Sequence, residues 1–379
     1  AAVLWAVHPN QIWHAQDARN YAIWAALSPL AAWLALRALD KRRPLDWVLY
    51  VLAAATAGYI YYLELFALVV LNLFVFSTRW RDRRLLIQWV GAQIAIGLIF
   101  APWYLQERLL FSSGYGGTTG QLDPPLWLTW FVPTLTFGET LPPAVKNLLW
   151  VGLLVGLLVG WGILWRRSRQ FAIWVGLLGT LPLLLLGIVS LKLNVFTPRY
   201  VLTAAPAYTL LLAVLIVHLP LRAVPVRRLI SALVFAAVLS VSLLSLYHYY
   251  AVPEYFKSPD WRSLASYLSD HTQPADLVIQ AAADEAFTFY FNEYRVPGDL
   301  IYLPANPRQS AVEIETVLAE QTAAHRSTWY AAEAPPDWTN RAVPLAWLNA
   351  RLQAVRDTAI PRLPVYQFMA WEVGNLTGN

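Results

Sequence analysis

Four arginine-rich clusters divide the first two-thirds of the chain, and almost everything between them is apolar. They are Arg37-Lys41-Arg42-Arg43, Arg79-Arg81-Arg83-Arg84, Arg166-Arg167-Arg169 and Arg222-Arg227-Arg228. Short loops rich in Lys and Arg stay on the cytoplasmic side of a membrane. All four clusters are therefore expected on one face, and each apolar stretch between two of them must cross the bilayer an even number of times. That constraint sets a topology before any motif is considered.

The 379 residues are 58% hydrophobic and only 13% charged, against about 25% charged in a soluble chain. The deficit lies before residue 250, so the sequence reads as a polytopic α-helical membrane protein. The net charge of +5 comes from the clusters, so it reports orientation and not a nucleic-acid partner. A nucleic-acid surface needs basic residues among polar neighbours on one folded face. There is no cysteine, which excludes disulfides, thiolate nucleophiles and cysteine metal sites. His8, His14, His218 and His248 are scattered and no HExxH is present, so no metal is expected. No GxxxxGK[ST] occurs, so no nucleotide phosphate loop is expected either. The chain opens at Ala1 and its one methionine is Met369, so we expect its initiator to lie upstream. Ala1 to His8 reads as the last two turns of a truncated membrane helix, because it is too short to span about 30 Å. It has neither the charged leader nor the cleavage site of a signal peptide.

The parity rule then assigns crossings. Residues 9–20 are polar and fall outside the cytoplasm, and residues 21–38 cross inward, with Trp13, Trp24 and Trp33 suited to the interface. Residues 46–77 are too long for one helix, so two short helices meet near Gly58 to Glu64, which puts Glu64 at the outer surface. Residues 87–102 cross outward, and 103–144 form a long outer loop whose GYGG at 114–117 reads as a flexible lid. Residues 150–165, 171–191, 201–219 (kinked at Pro206) and 229–248 complete about eight helices plus the stump, over residues 1–250. After Tyr250 the composition changes. Strand signals at 277–279, 300–303, 328–330 and 365–368 alternate with helices at 261–268, 284–291 and 309–324. This predicts an extracytoplasmic α/β domain over 251–379 with a mostly parallel sheet.

Few charges fall on the outer side, so each is informative. Asp17 and Arg19 precede a helix, either as an interfacial ion pair or as a functional pair in which Arg19 binds phosphate through its planar fork. Tyr59, Tyr61 and Tyr62 are an aromatic belt or the lining of a site. Glu64 lies among Leu63, Leu65 and Phe66, and a carboxylate there is costly unless paired or wet, so it is expected to face a cavity. Lys192, Arg199 and Tyr200 occupy a short outer loop. Basic residues on that side call for an anionic partner: a headgroup, a lipid-linked phosphate, Glu64 or Asp17.

These residues carry a family resemblance. HPNQIWHAQDARNY (8–21) resembles the P-x-x-I-x-[YWH]-[SA]-Q-[DE]-A-R-x-Y segment of bacterial membrane glycosyltransferases of the GT-C superfamily, relatives of protein O-mannosyltransferases and lipid A aminoarabinose transferases. GYIYYLELF (58–66) resembles the family's hairpin tip, TPRYVLTAAP (197–206) its P-R-Y segment, and DWRSLASYL (260–268) the opening of its C-terminal outer domain. The segments keep the family's order and span nearly the whole chain. The resemblance implies a hexosyl- or pentosyltransferase in the bacterial inner membrane, acting at its outer face. The donor would be a polyprenyl-phosphate sugar and the acceptor a glycan, lipid or protein of the cell envelope, with no further cofactor. It implies Asp17 and Glu64 as catalytic carboxylates, and Arg19, Arg199 and Lys192 as phosphate ligands. Gln16, Tyr21, Tyr61, Tyr62 and Tyr200 would line the substrate. The family's main catalytic Asp is expected upstream of Ala1, and Glu64 stands where the family more often has His or Tyr.

Two other classes fit a polytopic chain with outer charges: a lipid-linked glycan transporter or flippase, and a non-catalytic glycan-binding membrane protein. Transporters usually show internal repeats and helices broken near the midplane, and no repeat is seen here.

Overall fold

The computed structural model describes residues 1–16, 19–112, 122–193, 195–219, 223–256, 258–281, 284–306, 309–331, 338–360 and 363–370. The chain divides into two compact units, Ala1–Tyr249 and Tyr250–Asn379, at the place where its composition changes.

The first unit is helical. Two short helices, α1 (Ala2–Ala6) and α2 (Pro9–Ala15), lead into α3 (Tyr21–Lys41), α4 (Pro44–Ile60), α5 (Glu64–Arg79) and α6 (Arg83–Ser112). A π-helical turn, Trp127–Phe131, runs into α7 (Val132–Phe137), and α8 (Pro143–Arg167) and α9 (Arg169–Ser190) follow. A 3-10 segment, Pro198–Ala204, precedes α10 (Ala205–His218), and α11 (Val224–Ala251) completes the series. Six helices are long and apolar enough to cross a membrane: Tyr21–Lys41, Arg83–Gln106, Pro143–Arg167, Arg169–Ser190, Pro198–His218 and Val224–Ala251. α4 is a shorter apolar helix. The outward faces are as apolar as the core: Leu148 is 80% exposed, Ile87 72% and Leu98 69%. A helix apolar all round belongs in an apolar surrounding.

Contacts between turns bring the basic clusters to one end. Arg42, after α3, pairs with Asp82, before α6, and Arg37 with Asp46 at 2.7 Å. Near the same end of α5, Phe74 meets Trp174 of α9 edge to face at 5.5 Å. The charges of Arg167 and Arg227 both reach His218. Helix α8 approaches α10 at Gly160, where an added Cβ would lie 2.4 Å from the Leu211 carbonyl oxygen.

The structure departs from the expected topology in three places. Residues 9–20 are not simply a polar outer segment, because α2 forms and buries Pro9, Asn10 and His14. The expected outer loop 103–144 is largely folded: α6 continues to Ser112, and every residue of α7 is buried. Gly138 ends α7 with φ of 91°, a conformation open to glycine at little cost. Lys146 is buried and donates to the Thr134 hydroxyl and the Glu139 carbonyl, both at 3.1 Å, and the Thr140 hydroxyl donates to the Ser245 carbonyl of α11 at 2.6 Å. Apolar residues such as Val132, Leu135 and Phe137 lower the free energy by packing rather than looping outward. GYGG lies outside the described residues. Finally, Pro206 kinks nothing. It occupies the first turn of α10, where its missing N–H goes unused, and the bend falls at Val201, whose φ and ψ are −124° and 31°.

The second unit holds α12 (Trp261–His271), β1 (Asp276–Gln280), α13 (Glu285–Glu293), β2 (Asp299–Tyr302), α14 (Ala311–Ala324), β3 (Ser327–Ala331), α15 (Val343–Arg351), β4 (Gln353–Ile360) and β5 (Leu363–Met369). Helix caps fix several starts. Asp260 accepts from the Ser263 amide at 3.0 Å, and Ser310 with Glu313 forms a capping box on α14. The sheet order is β2-β1-β3-β5-β4. β1 pairs in parallel with β2 and β3, whereas β5 pairs antiparallel with β3 and β4. The sheet is thus mixed and not mostly parallel: β4 and β5 are joined within a few residues, too short a connection for a parallel crossover. Strand alternation sends Val278 to the face carrying Phe287 of α13, and Leu277 and Ile279 to the face carrying Ile314 of α14.

Two outcomes follow. Gly160→Val forces α8 from α10 and lowers the unfolding free energy by about 1–3 kcal/mol, measurable as a fall in Tm of the detergent-solubilised protein. In the second unit, His325 Nε2 meets Asp299 Oδ2 at 3.1 Å. Burial works to lower the pKa of His325, but hydrogen bonds to the Gln321 carbonyl and Asp299 outweigh it and hold the pKa above the ordinary value. A group raised on folding stabilises fully below its unfolded pKa of about 6.5 and loses that contribution as pH rises through the folded value. Asp299→Asn should flatten the decline in urea stability that tryptophan fluorescence records above about pH 6.5.

Candidate functional site

At the end of the helical unit opposite the basic clusters, the α4–α5 turn meets the starts of α3 and of the 3-10 segment. The turn is short because Tyr61 leaves α4 with extended φ and ψ of −154° and 115°. Asn20 donates to the Ile60 carbonyl at 2.7 Å, satisfying one of the carbonyls that a helix end leaves unpaired. Tyr61 is then turned inward. Its ring packs edge to face on Trp24 at 4.8 Å and Tyr21 at 5.5 Å, and lies 6.3 Å from the ring of Tyr200.

Arg199 sits within this aromatic group. Its guanidinium lies 5.2 Å from the centre of the Tyr200 ring, a cation–π distance. Its charge acts on the hydroxyls of Tyr21, Tyr200 and Tyr61. Among the described residues no carboxylate pairs with Arg199, and its buried Nε has no hydrogen-bond partner. An unpaired donor of that kind costs free energy until an acceptor arrives. The arrangement can therefore bind an anion between a cation and several phenol hydroxyls.

Glu64 is placed otherwise than expected. It is fully buried and neither lies at an outer surface nor faces water. Trp24 Nε1 donates to Glu64 Oε2 at 2.8 Å, Ser28 lies beside it, and Oε1 has no partner. The cause is the short turn, which tucks the first turn of α5 beneath Trp24. The carboxylate ties α5 to α3 through Trp24, whose ring packs on Tyr61. Trp24 is correspondingly a core residue with 0% exposure and not an interfacial anchor.

The other expected residues divide. Tyr21, Tyr61, Tyr200 and Arg199 come together. Arg19 is exposed and its charge reaches Tyr21. Gln16 accepts a hydrogen bond from Tyr249 of α11 at 2.8 Å. Tyr62 turns toward α6 and stacks on Trp103 at 6.0 Å. The Lys192 side chain is exposed and makes no hydrogen bond or ion pair among the described residues. Asp17 lies outside the described residues. Among those described, no group of three or more His, Asp or Glu side chains is placed to hold a metal.

Sequence reasoning missed one feature. An apolar cavity of about 660 Å³ opens between α8, α9 and α10, with Trp127, Leu157, Leu183 and Tyr208 among its walls. Trp127, one wall of this cavity, meets Phe196, three residues before Arg199, at 5.8 Å. The signal was faint: Gly176, Gly179 and Thr180 of α9, which line it, form a run of small residues in an otherwise bulky helix.

Glu64→Leu leaves the Trp24 N–H buried and unpaired, and should lower stability by about 1–3 kcal/mol in a thermal melt. Glu64→Gln retains an acceptor and should melt close to the unsubstituted protein. No family model matches the chain, and no curated protein matches it either.

Proposed function

We propose that the chain is a multi-pass membrane glycosyltransferase of the GT-C type that transfers a sugar from a polyprenyl-phosphate donor. It would act in a bacterial inner membrane, at the side away from the basic clusters. Six long apolar helices and outward-facing leucines and isoleucines support the membrane reading. The single observation that carries the site is Arg199, a cation held among tyrosines with its Nε unpartnered.

In this reading the donor phosphate binds Arg199 and the hydroxyls around it, and the lipid tail enters the 660 Å³ cavity beyond Phe196 and Trp127. A volume of that size falls within the range of ligand sites, roughly 300–1,000 Å³. The acceptor hydroxyl attacks the anomeric carbon and the bond from that carbon to the phosphate oxygen breaks. Polyprenyl phosphate leaves with the electron pair, and the acceptor proton passes to a carboxylate, a role we assign to Asp17, two residues before Arg19 in the chain. The transition state resembles an oxocarbenium ion. Proton removal by a placed carboxylate contributes about 10²–10⁴-fold, and charge stabilisation of the leaving phosphate falls to Arg199. Glu64 holds Tyr61 in place from below and takes no part in the bond changes.

Arg199→Ala should reduce transfer of labelled sugar from a polyprenyl-phosphate donor by about 10²-fold or more in a membrane assay, without changing expression. Arg199→Lys retains charge without the fork and should fall between. Asp17→Asn should lose most of the transfer. Full activity in Arg199→Ala would defeat the assignment, and movement of the lipid-linked sugar across the bilayer without transfer would favour a flippase.

A further inference from the structure

Between Glu139 and Glu254 the sequence contains no Asp or Glu, yet it carries Arg166, Arg167, Arg169, Arg222, Arg227 and Arg228 in its basic turns. The two halves of the basic end consequently differ. On the α3–α6 side three cations have carboxylate partners: Arg37 with Asp46, Arg42 with Asp82 and Lys41 with Asp40. On the α8–α11 side, Arg166, Arg167, Arg227 and Arg228 are exposed and form no ion pair among the described residues. Arg167 and Arg227 are also close enough for both charges to reach His218. Like charges gathered without carboxylates favour an external anion.

A groove of about 410 Å³ lies beside them, between the last turn of α10 and the first turns of α11. Arg227 and Arg228 form its charged lip, and Ser231 adds a hydroxyl on the same helix face, three and four residues on. The walls are Ile216, Val217 and Phe235. Cation, hydroxyl and apolar wall in that sequence match the phosphate and first acyl segment of a phospholipid, and basic pockets between membrane helices are a recognised form of lipid site.

We propose that this groove binds an anionic glycerophospholipid such as phosphatidylglycerol. Arg227, Arg228 and Ser231 donate to the phosphodiester, and an acyl chain lies along Ile216, Val217 and Phe235. The proposal rests on the membrane reading alone and is independent of sugar transfer. Adventitious contact with a charged bilayer would need only exposed cations, whereas a groove with apolar walls selects a lipid by shape as well as charge.

Native mass spectrometry of the detergent-purified protein, with equal phosphatidylglycerol and phosphatidylcholine, tests it. The unsubstituted protein should retain phosphatidylglycerol preferentially, and millimolar inorganic phosphate should not displace it. Arg227→Ala with Arg228→Ala should lower that retention about tenfold or more. Ala232→Trp fills the groove without changing charge and should lower it comparably. Arg83→Ala with Arg84→Ala removes the same charge from another cluster and should leave it intact. Equal loss from both arginine pairs, retention by Ala232→Trp, displacement by phosphate or no preference for the anionic lipid would each overturn the site. A thermal melt of every variant separates loss of binding from loss of fold, and Arg227→Gln replaces the double substitution if the latter unfolds. Extraction from membranes only by detergent reads the membrane reading separately.

Discussion

An apolar exterior leaves charged side chains nowhere to go but the helix ends, and much of the helical unit follows from that. Helices such as α8 and α11 expose leucines and valines along their length. A charge midway along such a face has neither water nor partner, and the cost runs to several kcal/mol. The arginines therefore gather in turns, and the turns gather at one end because each helix reverses the direction of the one before. The interior is set by close approach where residues are small, as at Gly160 against Leu211, and by hydrogen bonds that tie the ends of segments to other helices.

The candidate site grows from the same constraint at the other end. The Trp24–Glu64 bond and the Asn20–Ile60 bond fasten the α4–α5 turn to α3. That turn then presents Tyr61 to Tyr21 and Tyr200, and the 3-10 segment delivers Arg199 to the same place. A cation there is paired by aromatic rings and phenol hydroxyls, not by a carboxylate. Such an arrangement leaves the guanidinium Nε without an acceptor, which a neighbouring carboxylate would have supplied. The uncompensated arginines of α8–α11 share this property at the basic end, with an open groove in place of a tyrosine shell.

Much of the fold was legible in the sequence because its signals are strong and local. Apolar runs bounded by arginines gave each long helix of the first unit, including the pair meeting near Gly58 to Glu64. The helix read over 261–268 is α12, and strand signals marked β1, β2, β3 and β5. The helix α15 and the strand β4 were not read: Val343–Arg351 carries Pro344 and a weak pattern, and Gln353–Ile360 mixes charged and small residues with no clear alternation. The parallel sheet expected from alternating elements became mixed because β5 returns beside β4 through a short connection.

The sequence by itself determined which segments are apolar helices, that the basic turns share one end, and that Tyr21, Tyr61, Arg199 and Tyr200 are chemically notable; of the eight expected crossings, six are helices long and apolar enough to span a bilayer. Those properties are carried by composition and by the spacing of charge along the chain. Only the tertiary structure decided that α7 packs inside instead of forming part of an outer loop, and that Trp24 is core. It alone turned Glu64 from a water-facing carboxylate into a buried strut, and sent Tyr62 toward α6 while Tyr61 turned inward. Each of these depends on which face of a helix meets which neighbour, and that is fixed by packing among residues far apart in the chain.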